Sequence, residues 1–226
     1  MKKIFLAALL VSISVSAQNA ENSKETKDAR MVGSAFRNPF GGADKPKGSP
    51  YAQLAFAGAK VGTMTKTSFM RYNIFNDEFE FISSQNDTLV MDKIEDFNPI
   101  TFIGTNKKYR LTPYTSNGKL VYGYLVTFYE KGGFSICKKE NVTFYEARPA
   151  KTSLEQSLPA KFTRNDDWYF LKNKDNVVSE FPENKKQLVK LYPAKKAEIE
   201  AFLKENKISF TEDSDRIKIV DFLAAL

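Results

Sequence analysis

Alternation of apolar and polar residues between positions 52 and 147 is the feature that most restricts the possible folds of this chain. In Met70–Ile74 the apolar residues occupy every second position, and Glu78–Phe81 repeats the pattern. Because successive side chains of a β-strand point to opposite faces, this period indicates strands with one buried face. Asn117-Gly118, a pair that favours a tight hairpin turn, separates two further runs. The sequence therefore predicts an antiparallel β-meander of about seven or eight strands, arranged as a curled sheet or an open barrel.

Two segments add to this β-structure. Leu120–Phe128 is apolar or aromatic at nearly every position, which predicts a strand that is covered on both faces. Trp168–Leu171 predicts one more strand after the meander.

The C-terminal residues have the three- and four-residue apolar spacing of helices. A helix over Asn184–Leu191 would place Leu188 and Leu191 on one face. Pro193 favours the start of a second helix, and Thr211–Ser214 offers capping residues for a third. The predicted fold class is α+β, an antiparallel β domain followed by a small C-terminal helical unit of about three helices. The predicted boundaries are residues 51–181 for the β domain and 182–226 for the helical unit.

Residues 1–17 have the organisation of a secretory signal peptide. Lys2 and Lys3 precede the apolar run Ile4–Val11, and small residues lead to a predicted cleavage site after Ala17. The apolar run is far shorter than the ~20 residues of a spanning helix, so a cleaved leader is favoured over an anchor. We expect the remaining protein in the periplasm, associated with the outer membrane, or secreted. The polar residues 18–50 predict a flexible N-terminal arm.

The absence of histidine excludes several classes of enzyme. Ser-His-Asp and Cys-His catalysis both need an imidazole, and most zinc sites use histidine or several cysteines. Cys137 is the one cysteine, so the chain has no internal disulfide, and its place in a predicted strand indicates an inert thiol. The sequence predicts neither a cofactor nor a metal site.

The net charge of the chain restricts the kinds of partner that it can bind. Lys2 and Lys3 are the only charged residues of the leader, so cleavage lowers the formal net charge from +7 to +5. This excess is too small for a nucleic-acid-binding surface. Seven lysines between residues 185 and 207 permit peripheral association with a membrane, but interleaved glutamates favour an ordinary solvated helix face.

Two groups of residues are candidate sites. Carboxylate pairs carry out glycoside hydrolysis without histidine, but the spacing of Glu78 and Glu80 favours an ordinary solvated face of a strand. Aromatic side chains on strands line a ligand groove or pack in the core. The candidate catalytic residues are Asp77, Glu78, Glu80, Glu95 and Asp96. The candidate ligand-binding residues are Tyr122, Tyr124, Trp168 and Tyr169.

The segment Arg71–Phe81 and the lysine-rich tail resemble small exported proteins of Bacteroidota bacteria that have no assigned function. The resemblance implies a periplasmic or envelope setting and carries over no catalytic residue. Asp87-Thr88-Leu89 also resembles the O-glycosylation acceptor of those bacteria. Thr88 is therefore a candidate glycan site, the alternative being an unmodified strand start.

These observations favour a non-catalytic envelope protein that binds a protein, glycan or lipid partner. The alternative is a histidine-free hydrolase that acts on glycans through the candidate carboxylates. An integral outer-membrane barrel is disfavoured, because the predicted strands before Lys107 are shorter than the ~9–11 residues of spanning strands.

Overall fold

The computed structural model describes residues 33–35 and 45–226 of the chain. The predicted signal peptide and most of the predicted arm lie outside the described residues. At the end of that arm, Lys47 exchanges two main-chain hydrogen bonds of 2.8 Å with Ala160 and Phe162.

A mainly antiparallel β-sheet forms most of the described structure. Its strands are β1 (Gly33–Ala35), β2 (Ala57–Val61), β3 (Ser68–Asn73), β4 (Glu78–Ile82), β5 (Thr88–Val90), β6 (Ile100–Phe102), β7 (Lys108–Ser116), β8 (Lys119–Lys131), β9 (Phe134–Tyr145), β10 (Lys161–Lys172) and β11 (Val178–Glu180). Their order in the sheet is β1-β5-β4-β3-β2-β6-β7-β11-β10-β9-β8. The predicted combination of an antiparallel sheet with about three C-terminal helices is confirmed.

The sheet curls on itself around β7. This strand pairs with β6 and β8 in antiparallel fashion and with β11 in parallel fashion, through Thr115 and Ser179. The pairings therefore run from β7 through β8, β9, β10 and β11 back to β7.

Three helices follow the sheet: α1 (Lys185–Leu191), α2 (Lys196–Glu205) and α3 (Asp213–Ala225). Two 3₁₀ turns span Glu95–Phe97 and Pro193–Lys195. Asn184 caps α1, since its side-chain oxygen accepts a 3.0 Å hydrogen bond from the main-chain N–H of Gln187. Within the described residues, no helix combines the length and the apolar character needed to cross a membrane.

Two large apolar clusters hold these layers together. The first lies within the sheet, where Tyr72, Phe79, Tyr109 and Tyr124 contact one another through their rings. The second lies between the helices and β9–β10 and joins the side chains of Ile136, Leu171, Leu188, Ile199 and Val220. The helices are thus attached to the sheet by burial of apolar surface.

Some local predictions were wrong. Only Gly123–Val126 of β8 is buried at consecutive positions, whereas Leu120–Tyr122, near the turn from β7, is exposed. Leu191 is 44% exposed although Leu188 is fully buried. Residues three apart lie about 60° from alignment around a helix, so the docked stripe of this short helix excludes Leu191. At α3, no side chain caps the helix from Glu212.

Candidate ligand-binding cleft

A β-bulge in β10 determines where the candidate site forms. Asn165 pairs with Asn141 and Trp168 with Lys139, so β10 advances three residues while β9 advances two. One extra residue is therefore accommodated at Asp166–Asp167. A bulge bends its strand and changes the direction of nearby side chains, which is why bulges recur beside binding sites.

The bulge borders a cleft between the sheet and the helical unit, which we call the β10 cleft. One part of it has a cavity volume of about 610 Å³. An adjoining part of about 600 Å³ shares Asp167, Tyr169, Thr211 and Arg216 with the first. Both volumes fall in the ~300–1,000 Å³ range of small-molecule sites. The remaining lining residues are Ser116, Asn117, Arg164, Asn165, Asp166, Trp168, Phe170, Glu180, Phe181, Pro182, Glu183, Gln187 and Phe210.

Tyr169 is held in the floor of the β10 cleft by two cations. The Arg216 guanidinium lies 3.7 Å and the Lys138 ammonium 4.8 Å from the centre of its ring. Asp213 pairs with both cations, at 2.9 Å to Arg216 and 2.8 Å to Lys138. Burial and a hydrogen bond to Asp213 raise the pKa of the Tyr169 hydroxyl, although Lys138 acts against them. For Asp213, burial favours the neutral form, but hydrogen bonds from Lys138, Tyr169 and Arg216 outweigh it and lower its pKa.

Arg216 is the residue of the cleft with an unused donor. Its Nε is buried and has no hydrogen-bond partner among the described residues, while its Nη1 donates to Asp213 over 2.9 Å. Buried donors are almost always paired, with protein, water or a ligand. The Arg216 side chain is only 13% exposed and lines both parts of the β10 cleft. Arg216 therefore contributes to the cleft a cation that is paired with Asp213, while its unpaired Nε lies below the accessible surface.

Asp167 brings a carboxylate with altered acidity into the same space. Burial raises the pKa of Asp167, and the charge of Glu140 adds to this, whereas Arg164 lowers it. Arg164 lies 3.1 Å from Asp167 and 2.7 Å from Glu140. The cleft therefore combines acids and bases that already neutralise one another in part.

The four candidate aromatic residues divide between the cleft and the core. Trp168 and Tyr169 line the β10 cleft, and Trp168 is 52% exposed. Tyr124 is buried in the sheet core with its hydroxyl unpaired in the described structure. Tyr122 is half exposed on β8 and does not line the β10 cleft, so the structure separates this pair from Trp168.

The candidate carboxylate Asp77 is part of an ion cluster in the sheet. It lies in the β3–β4 turn at a φ of 57°, and one oxygen accepts from Lys139 while the other accepts from Lys93 at 2.8 Å. The Tyr124 main-chain N–H also donates to Asp77, over 3.2 Å. Gly123 permits this approach, since a Cβ there would stand 2.5 Å from an Asp77 oxygen.

Glu80 overturns the expectation of a solvated strand face. It is 1% exposed, bonded by Arg71 at 2.8 Å and by the Tyr51 hydroxyl at 3.0 Å. Arg71 stacks on Tyr51 and Phe56 and covers the Glu80 carboxylate. The negative charge of Glu80 can be buried because it is paired with Arg71.

The other three candidate carboxylates are dispersed. Glu78 is half-buried at the start of β4. Glu95 accepts a 2.7 Å hydrogen bond from Asn98, and Asp96 is exposed in the same 3₁₀ turn. None of the five candidate carboxylates lines the β10 cleft, which instead contains Asp166, Asp167, Glu180 and Glu183.

Two other sequence candidates have defined places. Thr88 is half-buried at the start of β5, directly after the exposed Asp87. Cys137 is buried in β9 as predicted, and burial raises the pKa of its thiol to about 11. In residues 45–226, no group of three or more acidic or thiol side chains is arranged to hold a metal ion.

Arg164, Asp167 and Arg216 are cleft residues that the sequence patterns do not identify. The polar run Asn165–Asp167 before Trp168 is the available signal, because it interrupts the alternation at the bulge. Arg216 carries no such signal, since only the tertiary fold brings α3 to β10.

Searches among models of protein families, curated proteins and solved structures find no match to this chain. The proposal for its function therefore depends on the geometry of the β10 cleft.

Proposed function

We propose that this protein is an exported, non-catalytic binding protein of the bacterial cell envelope, and that the β10 cleft is its ligand site. The observation that carries this proposal is the position of Trp168, a half-exposed indole that lines the β10 cleft together with the charged side chains of Asp167 and Arg216. A concave site with an aromatic surface and a few fixed polar groups is the usual form of a ligand pocket. The ligand is a component of the envelope, whether protein, glycan or lipid.

The sequence supports the remaining parts of the proposal. The chain has no histidine, and the carboxylates of the hydrolase alternative lie outside the cleft, with Asp77 and Glu80 bound to cations. We therefore do not propose catalysis by them. The leader-like residues 1–17 support the export part of the proposal.

Trp168 gives a direct test, because it is the only tryptophan of the chain. Envelope material is separated into protein, polysaccharide and lipid fractions, and each is titrated against the chain that begins at Gln18 while indole emission is recorded. We expect one fraction to shift the emission to shorter wavelength in a saturable manner, since ligand would displace water from the indole.

A matched control moves the indole away from the cleft. Trp168→Phe combined with Phe69→Trp places it on β3, at a residue that is 59% exposed and five strands from β10 in the sheet order. This variant should give no saturable shift. No shift by any fraction with the natural chain, or the same shift with the control, would refute the cleft as the ligand site.

Export is tested separately. Full-length chain produced in a Gram-negative bacterium should appear in the envelope or periplasmic fraction with Gln18 as its first residue. Recovery of a cytosolic chain that begins at Met1 would contradict this part of the proposal.

A further inference from the structure

The edge of β10 that faces away from β9 is only partly paired. Near the start of the strand, Lys47 exchanges main-chain hydrogen bonds of 2.8 Å with Ala160 and Phe162. Near its end, β10 pairs with β11, and the Phe181 N–H donates to the Tyr169 carbonyl over 2.8 Å. Between these two contacts, residues 45–226 supply no main-chain partner on this side of β10.

The unpaired stretch, residues 163–168, is called here the open edge. Because the N–H of Phe162 points to Lys47, away from β9, the N–H and C=O of Arg164, two residues further on, point to the same side. Neither group of Arg164 has a partner on that side among the described residues. An unpaired strand edge is a template for pairing with another extended chain.

Gly48 and Pro182 explain why the chain's own segments leave the open edge uncovered. Gly48 turns the chain directly after Lys47, at a φ of 77°, and a Cβ there would stand 2.3 Å from the Phe162 carbonyl oxygen. Pro182 follows Phe181 and has no N–H with which to continue the pairing. The two segments therefore stop at opposite ends of the open edge.

The β10 cleft runs along the open edge. Residues 164–167 all line the same part of the cleft, and Thr211 and Arg216 of the helical unit complete the lining with Tyr169. Side chains of successive strand residues point to opposite faces, so four consecutive residues border one cavity where the cavity follows the edge of the strand.

The dimensions of the open edge fit a short peptide. It has six residues, of which the bulge absorbs one. The remaining length of ~16 Å, at about 3.3 Å per residue, accommodates about four or five residues of an extended chain. A peptide presents its N–H and C=O groups at the repeat of the strand, as Lys47 does on the neighbouring stretch, whereas sugars and lipid headgroups have no such repeat.

The side chains around the open edge favour a basic peptide. Asp166, Glu180 and Glu183 are exposed carboxylates of the β10 cleft that form no ion pair in the described structure. The two arginines of the lining, by contrast, are already bound to carboxylates. The unpaired charge of the cleft is therefore negative, although the chain as a whole has a formal net charge of +7. Opposite charge on a partner complements it.

We propose that the β10 cleft binds an extended, basic peptide segment of a protein partner, which pairs with the open edge as an added β-strand and places lysine or arginine side chains beside Asp166 and Glu183. This inference rests on the proposed function, in which the cleft is the ligand site. It selects the protein among the three classes of envelope ligand.

The test uses the chain that begins at Gln18 and a library of acetylated, amidated heptapeptides of random sequence. We expect saturable binding of peptides that are enriched in lysine and arginine and depleted in aspartate and glutamate. The tightest peptide is then titrated by calorimetry and by Trp168 emission. Its affinity should fall at least about fivefold between about 50 and 500 mM salt, because exposed charges are screened.

Two further measurements detect the main-chain pairing itself. N-methylation of each N–H of the peptide in turn should weaken binding by about tenfold at every second position and little at the positions between, because alternate N–H groups of a strand point to its partner. The Arg164 amide should exchange with solvent at least about tenfold more slowly once peptide is bound, whereas the Thr163 amide, which points to β9, should change little. Equal effects of N-methylation at all positions would overturn the strand pairing.

Charge variants locate the binding. Asp166→Asn combined with Glu183→Gln should weaken binding of the basic peptide by at least about fivefold at low salt, and the exposed positions leave the fold intact. Asp87→Asn combined with Asp96→Asn removes two exposed carboxylates outside the cleft and should bind as the natural chain does. Unchanged affinity in both double variants would overturn the inference.

The outcomes separate the two proposals. If a glycan or lipid fraction shifts Trp168 emission in a saturable manner while no peptide binds, the peptide inference is wrong and the cleft remains a ligand site. Failure of all envelope fractions and of the whole library overturns both. Protection of the Arg164 amide that increases with protein concentration in the absence of peptide would also overturn the inference, because a second copy of the chain would then occupy the open edge.

Discussion

At the scale of single residues, buried ions in this sheet are tolerated because each is paired. Lys139 is 8% exposed, and its ammonium contacts Asp77, the Tyr72 hydroxyl at 3.0 Å and the Tyr124 carbonyl at 3.2 Å. Burial lowers the pKa of Lys139, although Asp77 acts against this. The carboxylate is the only anion among these contacts, so the stability of the charged lysine depends on it.

Asp77→Asn tests this dependence. Asparagine tolerates the left-handed backbone at this position, so the main effect is loss of the negative charge beside Lys139. We expect the free energy of unfolding at pH 7 to fall by about 3 kcal/mol, near the lower end for a broken buried pair, because Asp77 is partly exposed. Urea denaturation measures this change in the free energy of unfolding.

The double variant Asp77→Asn, Lys139→Met should recover part of this loss, since an apolar side chain removes the unpaired charge. Glu198→Gln breaks the exposed pair with Lys195 and serves as the control, with no measurable change expected. Strict additivity of Asp77→Asn and Lys139→Met would contradict the pairing.

At the scale of elements, α1 illustrates how far periodicity predicts packing. The sequence pattern placed Leu188 and Leu191 on one face of the helix, but the structure buries only Leu188. We expect Leu188→Ala to lower the free energy of unfolding by about 2–5 kcal/mol, because it leaves a cavity in the cluster beneath the helices. Thermal and urea unfolding followed by circular dichroism measure the loss.

Leu191→Ala is the matched control in the same helix, where the same atoms are removed from a half-exposed site. Its effect should stay below about 1 kcal/mol. Equal losses for the two variants would mean that both leucines pack in the core.

The sequence predicted the presence of strands and helices better than it predicted local departures from their patterns. Period-two alternation identifies strands such as β3 and β4, because one face of each is buried in the core. The bulge at Asp166–Asp167 lay outside prediction, since polar residues in a strand also fit a solvated face. Glu80 was misassigned for a similar reason: alternation identifies its face, but the cover by Arg71 and Tyr51 comes from tertiary contacts. For the cleft, Trp168 and Tyr169 were foreseen and Arg216 was not.

At the scale of the whole molecule, Glu140 joins elements that are distant along the chain. This buried carboxylate on β9 pairs with Lys107, which precedes β7, at 2.7 Å and with Arg164 of β10 at 2.7 Å, and it accepts from the Tyr109 hydroxyl. Burial favours its neutral form, but the charge of Lys107 and the three hydrogen bonds outweigh burial and lower its pKa. The native state therefore holds fewer protons at Glu140 than the unfolded chain does in the range below pH 4.5.

It follows that Glu140 contributes stability that is fully present above pH 4.5 and is lost as the pH falls through its lower native pKa. Asp213 acts in the same direction, whereas Asp167, whose pKa is raised, reduces the net effect. We expect the free energy of unfolding of the natural chain to decrease between about pH 5 and pH 3.

Glu140→Gln should lower the free energy of unfolding by about 3 kcal/mol at pH 7 and flatten its dependence on pH in the acid range. Urea denaturation at several pH values measures both quantities, with the exposed Glu146→Gln as a control that should follow the natural chain. A Glu140→Gln curve parallel to that of the natural chain would assign the acid sensitivity to other groups.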